Sequence, residues 1–272
     1  MTTLVVGKNS AVGMSLEKSL MLSDLIMIDR VMLDRIMVSS ESIFAYLKSN
    51  DVTQIIYLMV ERDISEVSGA KKSQYNYIYP IQLWDAIQKI SGATFIWVNS
   101  IFANDEKMRT SYPYLEVQNL AHRHIIDSLT KESPVYSRIS FSQIYGTENF
   151  IRHQPFLYKL NSLIQNGQNV QILNAKKTKR NFINIDDVCS VLTDSQTWLS
   201  MPNVSCVPKQ TFSWWDIAQA FKAFYDSDSM ITDVEENSRI EDRTYSIQGL
   251  NDISTFYNLR DLPSVILQGE FL

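Results

Sequence analysis

The chain has 272 residues, 45% of them hydrophobic and 20% charged, which is enough apolar mass for one large α/β unit or a domain carrying a small lobe. A formal charge of −5 argues against a nucleic-acid partner, which calls for a basic face. Two cysteines, Cys189 and Cys206, are too few for a disulfide framework and lack metal-ligand spacing, so no metal site is expected.

From the N-terminus, Met1 runs directly into the apolar stretch Leu4-Val5-Val6-Gly7. No signal peptide and no membrane-spanning run of 18 or so apolar residues is read, so the expected location is cytoplasmic. Short apolar runs then alternate with segments of helical period, the pattern of βαβ units and a parallel sheet. Strands are expected at Leu4–Val6, Leu25–Asp29, Ile55–Met59, Thr94–Val98 and Val135–Ser140, and helices at Val12–Leu22, Glu41–Ser49, Tyr77–Ile90 and Tyr114–Leu129. Between Asp29 and Ser40 there is room for a third short strand, Arg35–Val38, but scarcely for another helix. Beyond about Phe150 the pattern is less regular, with helices expected at Pro155–Gln165 and Ser213–Tyr225. This divides the chain into residues 1–150, a dinucleotide-binding unit, and 151–272, a smaller lobe interleaved with it.

The first chemical signal is Gly7-Lys8-Asn9-Ser10-Ala11-Val12-Gly13, which follows a strand and opens a helix. Glycines there let the backbone turn tightly and approach a pyrophosphate, while the helix start presents free N–H groups and its positive dipole end. Asp29 ends the next strand about twenty residues on, where a carboxylate accepts hydrogen bonds from an adenosine ribose. Ser10 stands where a middle glycine is expected. Asp29 repels a 2′-phosphate and favours NAD, whereas Arg30 and Lys8 attract one, so NAD and NADP both stay open.

Further stretches resemble the extended short-chain dehydrogenase/reductases that modify nucleotide-sugars. They are Asp51–Val60, Asn76-x-x-x-Pro80-x-x-Leu83-Trp84-Asp85-Ala86, Thr94–Ser100 and Arg138–Gly146, and the closest match is Arg180-Asn181-Phe182-Ile183-Asn184-Ile185-Asp186-Asp187-Val188. The resemblance implies a Rossmann-type doubly wound parallel sheet with a small C-terminal substrate lobe, binding NAD or NADP. It also implies a keto-sugar reductase or epimerase in surface polysaccharide or glycan precursor synthesis, often a homodimer.

Family members use a Ser/Thr with a Tyr-x-x-x-Lys pair, whose spacing puts both side chains on one helical face. Here Ser100 fills the first role and Tyr114 the second, but the residue four on is Gln118, which carries no charge. Tyr112 is the other choice, and its fourth neighbour is Glu116, which would raise a phenol pKa. His122, on the same helix, reads as an ordinary helical histidine. On the substrate side the resemblance makes Arg180 and Arg239 clamps for a diphosphate, with Tyr145 at the sheet edge. A salt bridge from Arg180 to Asp186 or Asp187 is the plain alternative, and Asp187 is expected to cap the following helix. Missing lysine and Ser10 also leave open a second reading, a catalytically silent dinucleotide-binding regulatory or scaffold protein.

Overall fold

The structure, a computed structural model, describes residues 2–19, 24–62, 73–146, 151, 154–235 and 250–271. The first half runs β1 (Thr2–Val6), α1 (Ala11–Ser19), β2 (Leu25–Ile28), α2 (Arg30–Ile36), α3 (Ser40–Ser49), β3 (Val52–Tyr57), α4 (Tyr79–Ile87), β4 (Thr94–Ser100), α5 (Glu106–Ser111), α6 (Pro113–Asp127) and β5 (Val135–Phe141). A π turn over Gln74–Ile78 leads into α4. The rest comprises β6 (Gln143–Tyr145), α7 (Pro155–Gln165), β7 (Val170–Leu173), β8 (Lys179–Arg180), β9 (Phe182–Asn184), α8 (Ile185–Thr193), β10 (Asn203–Cys206), β11 (Phe212–Ser213), α9 (Trp214–Tyr225), β12 (Ile231–Val234), β13 (Asn251–Asp252) and α10 (Leu262–Leu267).

Two compact units form: residues 1–140 with 192–205 and 249–251, and residues 141–191 with 206–248 and 252–272. The first run of the first unit therefore ends at Ser140, ten residues before the boundary expected from sequence, and two later segments join it.

A seven-stranded sheet of order β13-β10-β5-β4-β3-β1-β2 organises the first unit. β1 pairs in parallel with β2 on one side and β3 on the other, and β3 pairs in parallel with β4. The chain thus steps outward from β1 in both directions, the Rossmann-type pattern that opens a crevice beyond the carboxyl ends of β1 and β3. These strands are apolar on both faces because helices cover both: Leu4, Val5, Val6, Ile55, Tyr57, Phe95 and Trp97 are all buried. Helix α6 buries Leu115, Gln118, Ala121, His122 and Ile125 at spacings of three and four, one stripe of an amphipathic helix.

The third strand expected at Arg35–Val38 does not form; Arg30–Ile36 is helical instead. Asp29 caps it, its Oδ1 accepting the Met32 N–H at 2.9 Å. Leu33 and Ile36, three positions apart, supply the buried face. Among the described residues the sheet consequently ends at β2.

In the second unit the strands form small ladders: β6 with β9 and β7 with β12 in parallel, and β8 with β11 antiparallel. Ser213 starts α9 with a full capping box, its Oγ taking the Asp216 N–H while the Asp216 carboxylate takes the Ser213 N–H. Trp214 packs edge-on against Phe156 and Phe182, which makes it core.

Candidate functional site

Gly7 leaves β1 with φ +116°, a backbone conformation that excludes side chains. Its N–H and that of Lys8 both bond to the Ile28 carbonyl at 2.9 and 3.0 Å, which ties the turn to the end of β2. Gly13 is required for a different reason: a Cβ there would lie 2.3 Å from the Gly7 carbonyl oxygen. Ser10 sits at the start of α1, accepting the Gly13 N–H on its Oγ at 3.0 Å, while its own N–H bonds to Gly7 O at 2.9 Å. The serine in the middle position is therefore the cap of α1. The Ala11 and Val12 amides, first in the helix, have no intrahelical acceptor, as any anion-binding helix start requires. Leu58 and Met59, following β3, form the opposite wall: from a Cβ on Gly7, Leu58 Cβ would be 3.1 Å and Met59 Sδ 3.4 Å away.

At the end of β2 Asp29 gives one hydrogen bond's worth of its carboxylate to the α2 cap. The neighbouring Arg30 is held elsewhere. Its guanidinium lies 4.1 Å from the centroid of the Tyr75 ring and its Nε donates to Tyr75 Oη at 2.6 Å. Tyr75 Oη faces the Asp34 carboxylate at 2.8 and 2.9 Å, and Tyr79 Oη donates to the same carboxylate at 3.0 Å. Burial and the Asp34 carboxylate push the Tyr79 phenol up to about 12. Lys8 pairs with Glu17 at 3.1 Å.

Ser100 closes β4, on the same carboxyl edge as Gly7 and Asp29. Its Oγ accepts the Phe102 N–H at 3.3 Å. Tyr114 and Gln118 lie one turn apart on α6. Burial raises the Tyr114 phenol pKa, with Arg62 pulling it down and Tyr112 raising it further. Gln118 is 2% exposed, so its amide is turned inward rather than offered to a ribose. Its Nε2 reaches Asn76 Oδ1 at 3.5 Å, and its buried Oε1 has no hydrogen-bond partner. Asn76 also clasps Glu61, accepting the Glu61 N–H at 3.0 Å and donating to its carbonyl at 2.6 Å. Glu116, the residue four beyond Tyr112, pairs with Arg109 and Arg123, each at 2.7 Å.

His122 is a structural residue. It is buried, stacked on Tyr136 and hydrogen-bonded to its hydroxyl at 2.7 Å, and desolvation with the nearby Arg138 and Arg123 charges lowers its pKa to about 3. Arg138 is itself buried, held by the amide oxygens of Asn104 at 2.7 Å and Asn203 at 3.1 Å, and burial lowers it to about 10. Of the α6 residues suited to a dimer contact, Val117, Leu120, Ile125 and Ile126, the first and third are fully buried within the unit and the other two are partly exposed.

Of the substrate-side residues, Tyr145 lies in the β6–β9 ladder of the second unit rather than at the edge of the large sheet. It is fully buried against Phe182 and Phe271. Arg180 is buried too, its Nη1 donating to the Lys179 carbonyl at 2.8 Å and its guanidinium 6.0 Å from the Trp214 ring centroid. Arg239 lies outside the described residues. The ion pair weighed for Arg180 belongs to Arg260, which sequence reasoning missed. Its N–H and Nε bond to Asp187 at 2.9 and 3.0 Å, and its Nη2 reaches Asn184 at 2.7 Å and Asp186 at 3.1 Å. Asp187 is thus engaged by Arg260, and the side chain at the start of α8 is Asn184, whose Oδ1 accepts the Asp186 N–H at 2.8 Å.

No family model and no curated protein matches the chain. Solved structures do. The UDP-N-acetylglucosamine 4-epimerase of Bacillus cereus superposes with TM-score 0.69 at 11% identity, over 98% of this chain and 95% of that one. The UDP-glucuronic acid 4-epimerase of the same organism gives 0.69 at 15%, over 100% and 98%. The dTDP-4-dehydrorhamnose reductase of Bacillus anthracis gives 0.67 at 13%, over 100% and 99%. The chain is a Rossmann-type α/β protein with the fold of these nucleotide-sugar enzymes, along nearly its whole length. Among the described residues no helix is long and apolar enough to cross a membrane.

Proposed function

We propose that the chain binds NAD or NADP at the Gly7–Gly13 turn and acts on a nucleotide-activated sugar, as a keto-sugar reductase or epimerase. The observation that carries this reading is the turn itself, where Gly13 tolerates no Cβ and Gly7 no side chain, so that α1 starts hard against the end of β1. Asp29 would hold the adenosine ribose and the Ala11 and Val12 amides the pyrophosphate. The same fold is found in enzymes whose substrates are UDP- and dTDP-sugars.

Bound dinucleotide would supply the hydride. Ser100, whose hydroxyl hydrogen is not needed by the bond it accepts from Phe102, would donate to the substrate oxygen. Tyr114 would then give its proton to a carbonyl oxygen as that oxygen gains negative charge. A phenol whose pKa is raised by burial is protonated at neutral pH and suits this reducing direction better than removal of a hydroxyl proton. The surface-polysaccharide role and a homodimer belong to the same proposal.

A second reading, a silent dinucleotide-binding regulator, is favoured by one observation: Gln118 faces Asn76 and gives Tyr114 no cation. Calorimetric titration with NAD(H), NADP(H) and a panel of nucleotide-sugars, followed by turnover assays, separates the two. Binding of both ligand classes with turnover supports the enzyme, and dinucleotide binding without turnover supports the regulator. No binding of either removes both.

A further inference from the structure

We infer that the Asp34–Tyr75 pair makes the site selective for NAD over NADP by holding Arg30 away from the place a 2′-phosphate would occupy. This rests on the dinucleotide-binding reading above and goes further by naming the cofactor and the residues that select it. Two side chains of opposite sign follow β2. Asp29 can accept from a ribose 2′-hydroxyl, and would repel a phosphate in its place. Arg30, directly beside it, could compensate by forking onto that phosphate.

The geometry restrains that compensation. Arg30 is exposed, but it is stacked on Tyr75 at 4.1 Å and bonded to its hydroxyl at 2.6 Å, so one face of its guanidinium and its Nε are engaged and its swing is limited. Tyr75 cannot readily let go. Its ring is 2% exposed, it stands edge-on to Tyr79 at 5.3 Å, and its carbonyl accepts Tyr57 Oη at 2.6 Å. Its hydroxyl in turn donates to Asp34. The Asp34 charge, one turn along α2 from Arg30, gives the guanidinium a built-in anion. Lys8, the other cation near the turn, is paired with Glu17. Asp29 keeps most of its carboxylate, since the cap bond uses one of about four acceptor positions.

The test is calorimetric titration of the full chain with NAD and NADP side by side, repeated on Asp34→Asn and on Asp34→Asn combined with Arg30→Gln. Expected is NAD binding at least about tenfold tighter than NADP to the unaltered chain, ~1.4 kcal/mol. Asp34→Asn should shift the ratio toward NADP at least about fivefold, and the double variant should lose that shift. Circular dichroism confirms folding, and Tyr75→Phe, which keeps the ring, provides an independent release of Arg30 with the same expected direction. Equal affinities, tighter NADP binding, or a ratio unmoved by both Asp34→Asn and Tyr75→Phe would overturn the inference while leaving the binding site intact. A folded chain that binds neither cofactor would overturn the site and the inference together.

Discussion

Gly13 lies so close under Gly7 that a single methyl group on the former would sit 2.3 Å from the carbonyl oxygen of the latter. That contact lets α1 begin almost on top of the end of β1. Gly13→Ala should therefore force the helix away from the strand. Overpacking of this kind costs about 1–3 kcal/mol, visible as a lower midpoint in urea unfolding. Dinucleotide binding should fall with it. An alanine variant of unchanged stability would show that the turn is looser than the geometry states.

Asp29 has two separable tasks, and two substitutions tell them apart. Asn at position 29 can still cap α2, so Asp29→Asn should leave stability within about 0.5 kcal/mol, whereas Asp29→Ala should cost ~1 kcal/mol. If the carboxylate also governs cofactor choice, Asp29→Asn should relax discrimination against NADP. Thermal unfolding and calorimetry on the same two proteins read both effects.

The Tyr114 phenol is raised by burial, with Arg62 the cation opposing the rise. Gln118→Lys places an ammonium one helical turn away and should lower the Tyr114 pKa. Arg62→Gln should raise it. Carbon-13 labelling of the tyrosine ring, assigned with Tyr114→Phe, follows this resonance among the thirteen tyrosines. On the enzyme reading, Gln118→Lys should also raise turnover. A lowered phenol pKa with no turnover at all would favour the silent regulator.

His122 makes acid stability a measurable property of α6. Its folded pKa of about 3 lies below the ordinary value of 6.5, so below pH 6.5 the unfolded chain binds a proton that the folded chain refuses. The contribution is fully present above pH 6.5 and is lost as pH falls toward 3, at up to ~1.4 kcal/mol per pH unit. Urea unfolding between pH 7 and pH 5 should thus show a shallower decline in His122→Gln than in the unaltered chain. Parallel declines would mean that the imidazole protonates without leaving Tyr136.

Arg260 joins four bonds to Asn184, Asp186 and Asp187. Three of them use the side chain, and Arg260→Ala would leave the half-buried Asp187 carboxylate with only a backbone donor. Charged hydrogen bonds of this kind are worth about 1.5–3 kcal/mol, and a loss of ~2 kcal/mol is expected in chemical unfolding. Arg260→Lys, which cannot reproduce the fork, should recover only part of it.

The βα turn and the strands of the first half were legible because each rests on local signals: two glycines at a fixed spacing, and apolar runs short enough to be strands. Arg35–Val38 was misread because a seven-residue helix carries only two buried residues, Leu33 and Ile36, too few to display a period. Its signal is Asp29 as a cap, a role the same carboxylate can fill alongside a ribose contact. In the second unit, ladders of two to four residues have no periodicity to read. Arg260 pairs with a carboxylate 73 positions earlier, a relation only the tertiary fold creates. Gln118 was recognised as a departure at the lysine position, but its partner Asn76, 42 residues away, was not visible.

Because residues 30–36 coil into a helix, β2 is, among the described residues, the rim of the sheet, with a strand partner on one side only. A bare rim is a template onto which another molecule can lay its own backbone, the first step of aggregation. At four residues, β2 offers too short a purchase for that. The immediate turn into a capped helix also denies a recruited strand any continuation. A short helix in place of a further strand thus leaves little rim for a neighbouring molecule to pair with.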